Sequence, residues 1–295
     1  MKDRIKTLVS TLITLSIILT FISCIAILIF YKEPEDYKYS IATPQIIDDS
    51  ILNLRFEEDG DSYAVRILDT TKKSTINIPS IYNNKSVTKI PNGGFRYSKT
   101  NKIYIPNSIT QIGYMAFWNC ENITEITLPR YLRSDCFNWF YYCTNLENIY
   151  VDSLNSALSS VDGVLFNKDQ SYIYIYPQGR TKSSYTIPET VTIIANGCFY
   201  NASSLTSINI PNFVVSIGSD AFKETSITEI KLHKTVKILG STIFPKTLMY
   251  LYYEGTQEEW ENIYNNGDVY CRYYDRTTYK FYRLVPDITY NYNFD

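Results

Sequence analysis

The sequence predicts a repeat solenoid, mostly β with short helical turns, carried behind an N-terminal transmembrane helix. Three observations make that prediction. The phrase "KIYIPNSITQIGYMAF" (102–117) returns about a hundred residues later as "SINIPNFVVSIGSDAF" (207–222). The residue closing each such phrase's strand falls at Pro79, Pro106, Pro129, Asp152, Pro188, Pro211 and His233, in steps of 27, 23, 23, 36, 23 and 22. A fixed period of this size marks stacked units, none of which buries its apolar face alone. The third observation is "LVSTLITLSIILTFISCIAILIF", 23 residues (8–30) without a charge.

In chain order, residues 1–6 read as a cytoplasmic N-terminus and 7–31 as the anchor. A helix of that run is roughly 35 Å long, enough to cross a ~30 Å hydrocarbon core. Lys2, Arg4 and Lys6 precede it, so the positive-inside rule puts the rest of the chain outside the cell. A cleaved signal peptide has a shorter apolar core ending in small residues, whereas this run ends "ILIFYKE". A lipid on Cys24 is the other rival, and "FISC" suits it poorly. Residues 32–50 form a linker, and 51–70 a capping hairpin turning at Asp59-Gly60. Its acidic turn "EEDGD" lacks the spacing of a calcium loop. Residues 71–254 are the solenoid, with a hairpin insertion at 161–177. Residues 255–295 form a C-terminal cap, where Thr256 and Glu259 make a capping box for a short helix near 257–265.

Within each coil the columns have physical roles. Ile76, Ile103, Ile126, Ile149, Tyr185, Ile208 and Ile230 stand three residues before the anchor position. Ile78, Ile105, Leu128, Val151, Ile187, Ile210 and Leu232 stand one before it. Apolar residues two apart share one face of a strand, so both columns point inward. Pro then ends the strand, lacking the N–H for the next ladder bond. Pairs such as Ile109 with Ile112 and Val214 with Ile217 supply a second buried strip. Gly113, Gly218 and Gly240 mark places a side chain would obstruct. Phe95, Phe117, Phe140, Phe199, Phe222 and Phe244 form an expected aromatic column, placing Phe222 between Phe199 and Phe244.

Stretches such as "ITEITLPRYLRSDCFNWFYYC" (123–143) and "LTSINIPNFVVSIGSDAFKET" (205–225) resemble the coil of the BspA-like leucine-rich repeat proteins of bacterial cell surfaces. "VDGVLFNKDQSYIYIYP" (161–177) is similar to a hairpin insertion of that family, and "YYEGTQEEWENI" (252–263) to its C-terminal element. The resemblance covers roughly 62–263. It implies the fold closely and the function only as surface binding or adhesion. Departures are Asp135 and Cys136 in place of Ile-Gly, and Asp152 and His233 in place of Pro.

Composition narrows the function. Net charge is −2, so no basic field exists to hold a phosphate backbone, and nucleic acid is not an expected partner. The single His, at 233, falls at a strand corner, which leaves no Ser-His-Asp set. No CxxC pair exists among six cysteines, so no metal or cofactor is expected and the chain reads as a non-enzyme. Cys120 and Cys143 stand on adjacent coils and read as buried thiols, with a disulfide as the alternative. Function is then expected on the outward strand column: Tyr104, Thr127, Tyr150, Thr186, Asn209 and Lys231, flanked by Lys102 and Asn148. Seven strands about 4.8 Å apart would rule a face roughly 30 Å long. The expected partner is a protein or glycan ligand on a host or neighbouring cell. A scaffold acting in cis in the cell envelope is the alternative.

Overall fold

The computed structural model describes residues 53–72, 75–133, 138–265, 272–275, 280–283 and 287–290. The expected anchor (7–31) and linker (32–50) lie outside the described residues, as do Asp135, Cys136 and Cys271. Among the described residues no helix is long and apolar enough to cross a membrane.

The repeats form a mostly-β solenoid of about 8 turns. Strands Leu54–Asp59 and Ser62–Ile67 make an antiparallel hairpin through Gly60, whose φ of 65° suits a residue without Cβ. Ser62–Ile67 lies parallel to Lys85–Ile90 and so covers the first coil's edge. At the other end Thr256 Oγ1 accepts from the Glu259 amide while Glu259 Oε2 accepts from the Thr256 amide. That reciprocal cap starts the helix Gln257–Asn265, the one α-helix among the described residues. Its Trp260 packs on Tyr253 of the last coil, ring centres 5.3 Å apart.

The expected short helical turns are not helical. Coils close through residues in the left-handed region two before the Phe, two after it, or both. Met115, Asp220 and Thr242 hold the first position, and Tyr97, Asn119, Tyr142, Asn201 and Glu224 the second. Flipping the chain at these points aims alternate amides at the next coil. Thus Gly93, Phe95 and Tyr97 donate to the carbonyls of Tyr114, Ala116 and Trp118, at 3.0, 2.7 and 2.8 Å. The turn is itself a ladder between coils, and it precludes a helix there. Close approach elsewhere explains the glycines: a Cβ on Gly113 would lie 2.5 Å from the Asn92 backbone, and one on Gly218 2.4 Å from that of Asn196.

The aromatic column is present with one addition. Phe95–Phe117, Phe117–Phe140 and Phe199–Phe222 stack at 5.7, 5.2 and 5.4 Å. Between Phe140 and Phe199 the slot is filled by Tyr176, 5.2 Å from Phe199, whose amide donates to Cys198 as a Phe in the slot would. The thiols of Cys120 and Cys143 are free and buried, each donating to the Phe carbonyl of the preceding coil at 3.0 Å. Burial and the neighbouring thiol push the Cys143 pKa well up.

The insertion holds the hairpin read from sequence at 161–177, with Val164–Asn167 antiparallel to Tyr172–Ile175. A further strand, Leu158–Val161, pairs antiparallel with the other edge of Val164–Asn167, turning at Asp162-Gly163. Tyr172–Ile175 then joins the parallel ladder with Ile193–Ile194, Ser216–Ile217 and Ile238–Leu239. Strand Val164–Asn167 is buried on both faces: Leu165 belongs to the core of the N-terminal coils, Val164 and Phe166 to that of the C-terminal coils. The insertion is therefore a wall shared by two cores.

Phe222 is fully buried. Phe222→Ala is expected to cost about 3–5 kcal/mol through the cavity it leaves. The loss should be confined to adjoining coils, since solenoid stability is a sum of nearest-neighbour terms. Urea denaturation with amide exchange resolved along the chain measures both.

Candidate ligand-binding surface

The anchor-flanking strands build an outward face in two runs. The first pairs Thr75–Asn77 with Lys102–Tyr104, and Glu125–Leu128 with Asn148–Val151, all parallel. Between those pairs, Arg130 N donates to Asn107 Oδ1 at 2.8 Å and Lys102 Nζ lies 3.4 Å from Glu125 Oε1. The second run pairs Ser184–Thr186 with Ser207–Asn209, and Glu229–Leu232 with Tyr250–Tyr253 and Asp287–Thr289. Strict alternation follows from the apolar columns: in Glu125–Leu128, Ile126 and Leu128 are buried while Glu125 and Thr127 are exposed.

The two runs are not continuous. Ile149 N donates to the carbonyl of Gly163, at the insertion's tip, across 2.9 Å. Arg180, only 6% exposed, donates to the Asp162 carbonyl and to Asp162 Oδ2 at 2.8 Å, and reaches the Glu147 carbonyl at 3.4 Å. Lys182 Nζ adds a bond to Asp162 Oδ2 at 2.9 Å. The bond from Lys182, then the Arg180 guanidinium, hold the Asp162 carboxyl below its ordinary range. Their stabilisation is fully present above the ordinary carboxylate pKa and is lost as pH falls through the lowered one.

The single ruled face of seven strands is thus corrected. Lys102, Tyr104, Thr127, Asn148 and Tyr150 are brought together in the first run; Thr186, Asn209 and Lys231 stand in the second. Tyr104 and Tyr150 are 41% and 43% exposed. Two strand steps separate them, about 10 Å, with Thr127 between. Lys102 also sits 5.0 Å from the centre of the Tyr104 ring. The Tyr104 hydroxyl first, and Glu125 further, raise its pKa and hold it as a cation. Asn148 serves the fold: its Oδ1 is where a Cβ on Gly163 would fall, so it closes over the turn residue that only glycine fits.

Sequence reasoning missed Tyr250 and Tyr252 of the second run. Their strand continues the column, Lys231 lying opposite Tyr252, and Tyr250 is 47% exposed. The signal was the apolar pair Leu251 and Tyr253, spaced as Ile230 and Leu232 are. The two departures from Pro carry corner bonds instead. Asp152 Oδ1 accepts from Leu154 N at 2.9 Å and pairs with Arg130 at 3.4 Å. His233 Nδ1 stands 3.4 Å from Glu254 Oε2, whose carboxyl is held low by the Lys234 amide first and by His233 after it. No group of three metal-ligating side chains occurs among the described residues.

Parallel strands at this period, an aromatic column and an outward face define a leucine-rich repeat solenoid. The chain belongs to the family of the BspA type leucine rich repeat region, matched in six copies over residues 67–178 and 174–252. No curated protein matches it. It is similar to a leucine-rich repeat protein from Eubacterium ventriosum (21% identity, 65% of this chain and 68% of that one, TM-score 0.45). It is also similar to the pneumococcal vaccine antigen PcpA (18% identity, 68% and 80%, TM-score 0.46). A leucine rich cell surface protein from Faecalibacterium prausnitzii shares 14% identity over 76% and 98%, with TM-score 0.33.

Arg180→Ala should leave the Asp162 and Glu147 carbonyls without their donor, costing about 2–3 kcal/mol. The insertion is the wall between the cores, so the two halves should then unfold separately. Trp139 reports the N-terminal core and Trp260 the C-terminal one. Urea midpoints from variants keeping one or the other should coincide in the parent and separate with Arg180→Ala.

Proposed function

We propose that this chain is a surface-displayed binding module that takes a protein ligand across its first strand run. The observation carrying this reading is the patch around Tyr104 and Tyr150. There two exposed rings lie about 10 Å apart beside the Lys102–Glu125 pair, on a strand face rigidly held from behind. Aromatic anchors beside charge pairs are the usual composition of a protein-binding hot spot. Tyr adds area and a hydroxyl at little rotamer cost. Both rings point away from the core, so binding and folding rest on different side chains.

Display rests on the N-terminal sequence: Lys2, Arg4 and Lys6 ahead of the uncharged run 8–30 place the N-terminus in the cytoplasm and the repeats outside, single-pass. A binding role, with no enzymatic one, fits a strand face whose charged groups pair with one another, as Lys102 does with Glu125.

Protease added to intact cells should remove the repeats and leave the N-terminal segment in the membrane. Protected repeats would count against surface display. For binding, the full chain and its Tyr104→Ala/Tyr150→Ala variant are compared in capturing labelled surface proteins of neighbouring and host cells. Loss of the captured protein's affinity by a hundredfold or more is expected, with melting unchanged. Unchanged affinity would move the site off this run, and capture of glycan alone would change the ligand class.

A further inference from the structure

A second aromatic surface lies on the turn side of the coils, away from the strand face. The two positions after each Phe slot point outward there, and their rings touch from coil to coil. Tyr97 lies 5.2 Å from Trp118, and Trp118 lies 6.0 Å from Tyr142. Tyr200 meets Tyr141 at 5.1 Å and Tyr142 at 5.7 Å, in an edge-on arrangement of 82° with the latter.

The last contacts are unusual because Tyr141 and Tyr142 do not stand on the coil next to Tyr200. The intervening coil is that of Tyr176, which follows its ring with Pro177 where others carry Arg96, Trp118, Tyr141, Tyr200 or Lys223, and then with Gln178 and Gly179. Gly179 is drawn in so far that a Cβ would fall 2.4 Å from the Asn145 backbone. The recessed coil leaves a cleft, and the tyrosines reach over it until the Tyr142 and Tyr200 hydroxyls bond at 2.8 Å. Its enclosed part is only about 20 Å³, room for about one water, so a ligand would lie across the open mouth rather than inside it.

The lining decides what could enter. Tyr141, Tyr174 and Tyr200 supply rings, and Asn138, Gln178 and Asn196 supply amides; no lining residue is charged. Gln178 is fixed by bonds to the Phe140 carbonyl and from Asn201 Nδ2, at 3.4 and 3.2 Å. Burial, and then the Tyr142 hydroxyl, push the Tyr200 pKa up, so the Tyr200 phenol remains a protonated donor. Beside the cleft, Lys223 pairs with Asp220 at 3.1 Å and Lys99 with Glu121 at 2.6 Å, while Arg96 stacks on Trp118 at 4.0 Å at the N-terminal edge. A charged ligand would be desolvated here without a counter-charge, and an apolar one would strip water from polar groups at the mouth without replacing its bonds. An uncharged sugar chain presents C–H faces to the rings and hydroxyls to the amides and phenols.

We infer that this recessed coil and the rings of Tyr141, Tyr142 and Tyr200 form a second binding site, for an uncharged saccharide chain, distinct from the strand face. Trp118 extends the site toward the N-terminal coils. Because it stands apart from Tyr104 and Tyr150, the two surfaces can be occupied together.

The test uses the full-length protein in a sugar-free detergent. Of its three tryptophans, Trp139 and Trp260 are buried, so Trp118 is the accessible reporter. Fluorescence is titrated with hexamers of cellulose, amylose, chitin and xylan, and with a sulfated heparin hexamer as the charged control. At least one neutral hexamer should give a saturable change, and the heparin hexamer none. Tyr200→Ala should weaken that binding tenfold or more, while Tyr104→Ala leaves it unchanged. Should Tyr200→Ala melt early, the Tyr142→Phe/Tyr200→Phe variant keeps both rings, and loss of the hydroxyls alone should weaken binding severalfold. The inference is overturned if no neutral hexamer responds, if heparin binds as well, or if affinity survives these changes. None of these outcomes bears on protein capture by the strand face.

Discussion

The backbone ladder through the turns sets the geometry of this molecule. Amides around the Phe slots donate to the next coil, as Gly93, Phe95 and Tyr97 do to Tyr114, Ala116 and Trp118, and Gly197, Phe199 and Asn201 to Ser219, Ala221 and Lys223. They can do so only because residues on both sides of the slot adopt left-handed conformations, each costing an L-residue roughly 1–2 kcal/mol. A buried amide without a partner costs a comparable amount or more, so the strained conformation is the lesser penalty. With the coil spacing fixed by these bonds, side chains in one column must match in size. Phe stacks on Phe, and Ser98, Cys120, Cys143, Ala202 and Thr225 share one buried slot three residues on. Where the backbones come closest, even a methyl group has no place, as at Gly113 and Gly218.

The same constraint explains how a 36-residue step is absorbed. Tyr176 stands 23 residues before Phe199, so the ladder resumes in register with an aromatic ring in the slot. What is extra is extruded as a hairpin, but not into solvent. Its second strand, "VLFN", lies between the two cores and feeds alternate side chains to each. Arg180 then fastens the tip with bonds to Asp162 and Glu147. An insertion that covers apolar surface on both sides joins the halves, although it interrupts the strand face.

Much of this was legible in the sequence where the cause is local or periodic. The Ile columns, the Phe slots and the Thr256–Glu259 cap are of that kind, because period 2 and period 23 leave direct traces in composition. The left-handed positions left an uneven one: Gly93, Gly197, Asn119, Asn201 and Asp220 favour a positive φ, whereas Met115, Tyr97 and Thr242 do not. Their conformation is imposed by the neighbouring coil. Tyr176 was hidden by an aromatic substitution inside a stretch of alternating Tyr, where a strand reading sufficed. Of the candidate surface, the outward positions were read correctly as outward, since alternation fixes them. The break between Tyr150 and Thr186 was not, because it depends on Gly163 folding back beside Ile149, a contact with no signature along the chain.

A strictly periodic solenoid offers the same weak surface again and again, whatever the polarity of its exposed columns. Specific recognition needs a place where the period fails in a defined way. Here the failure is the coil of Tyr176. On the strand side it ends the first run just beyond Tyr150, giving that patch a fixed boundary made by the Asp162–Arg180 tip. On the turn side it withdraws Pro177, Gln178 and Gly179, so rings from coils on either side meet over a cleft. One irregular step therefore generates two unique surfaces on opposite sides of an otherwise uniform stack. Neither uses a side chain that the cross-coil ladder requires, so either surface can change its chemistry without disturbing the columns beneath it.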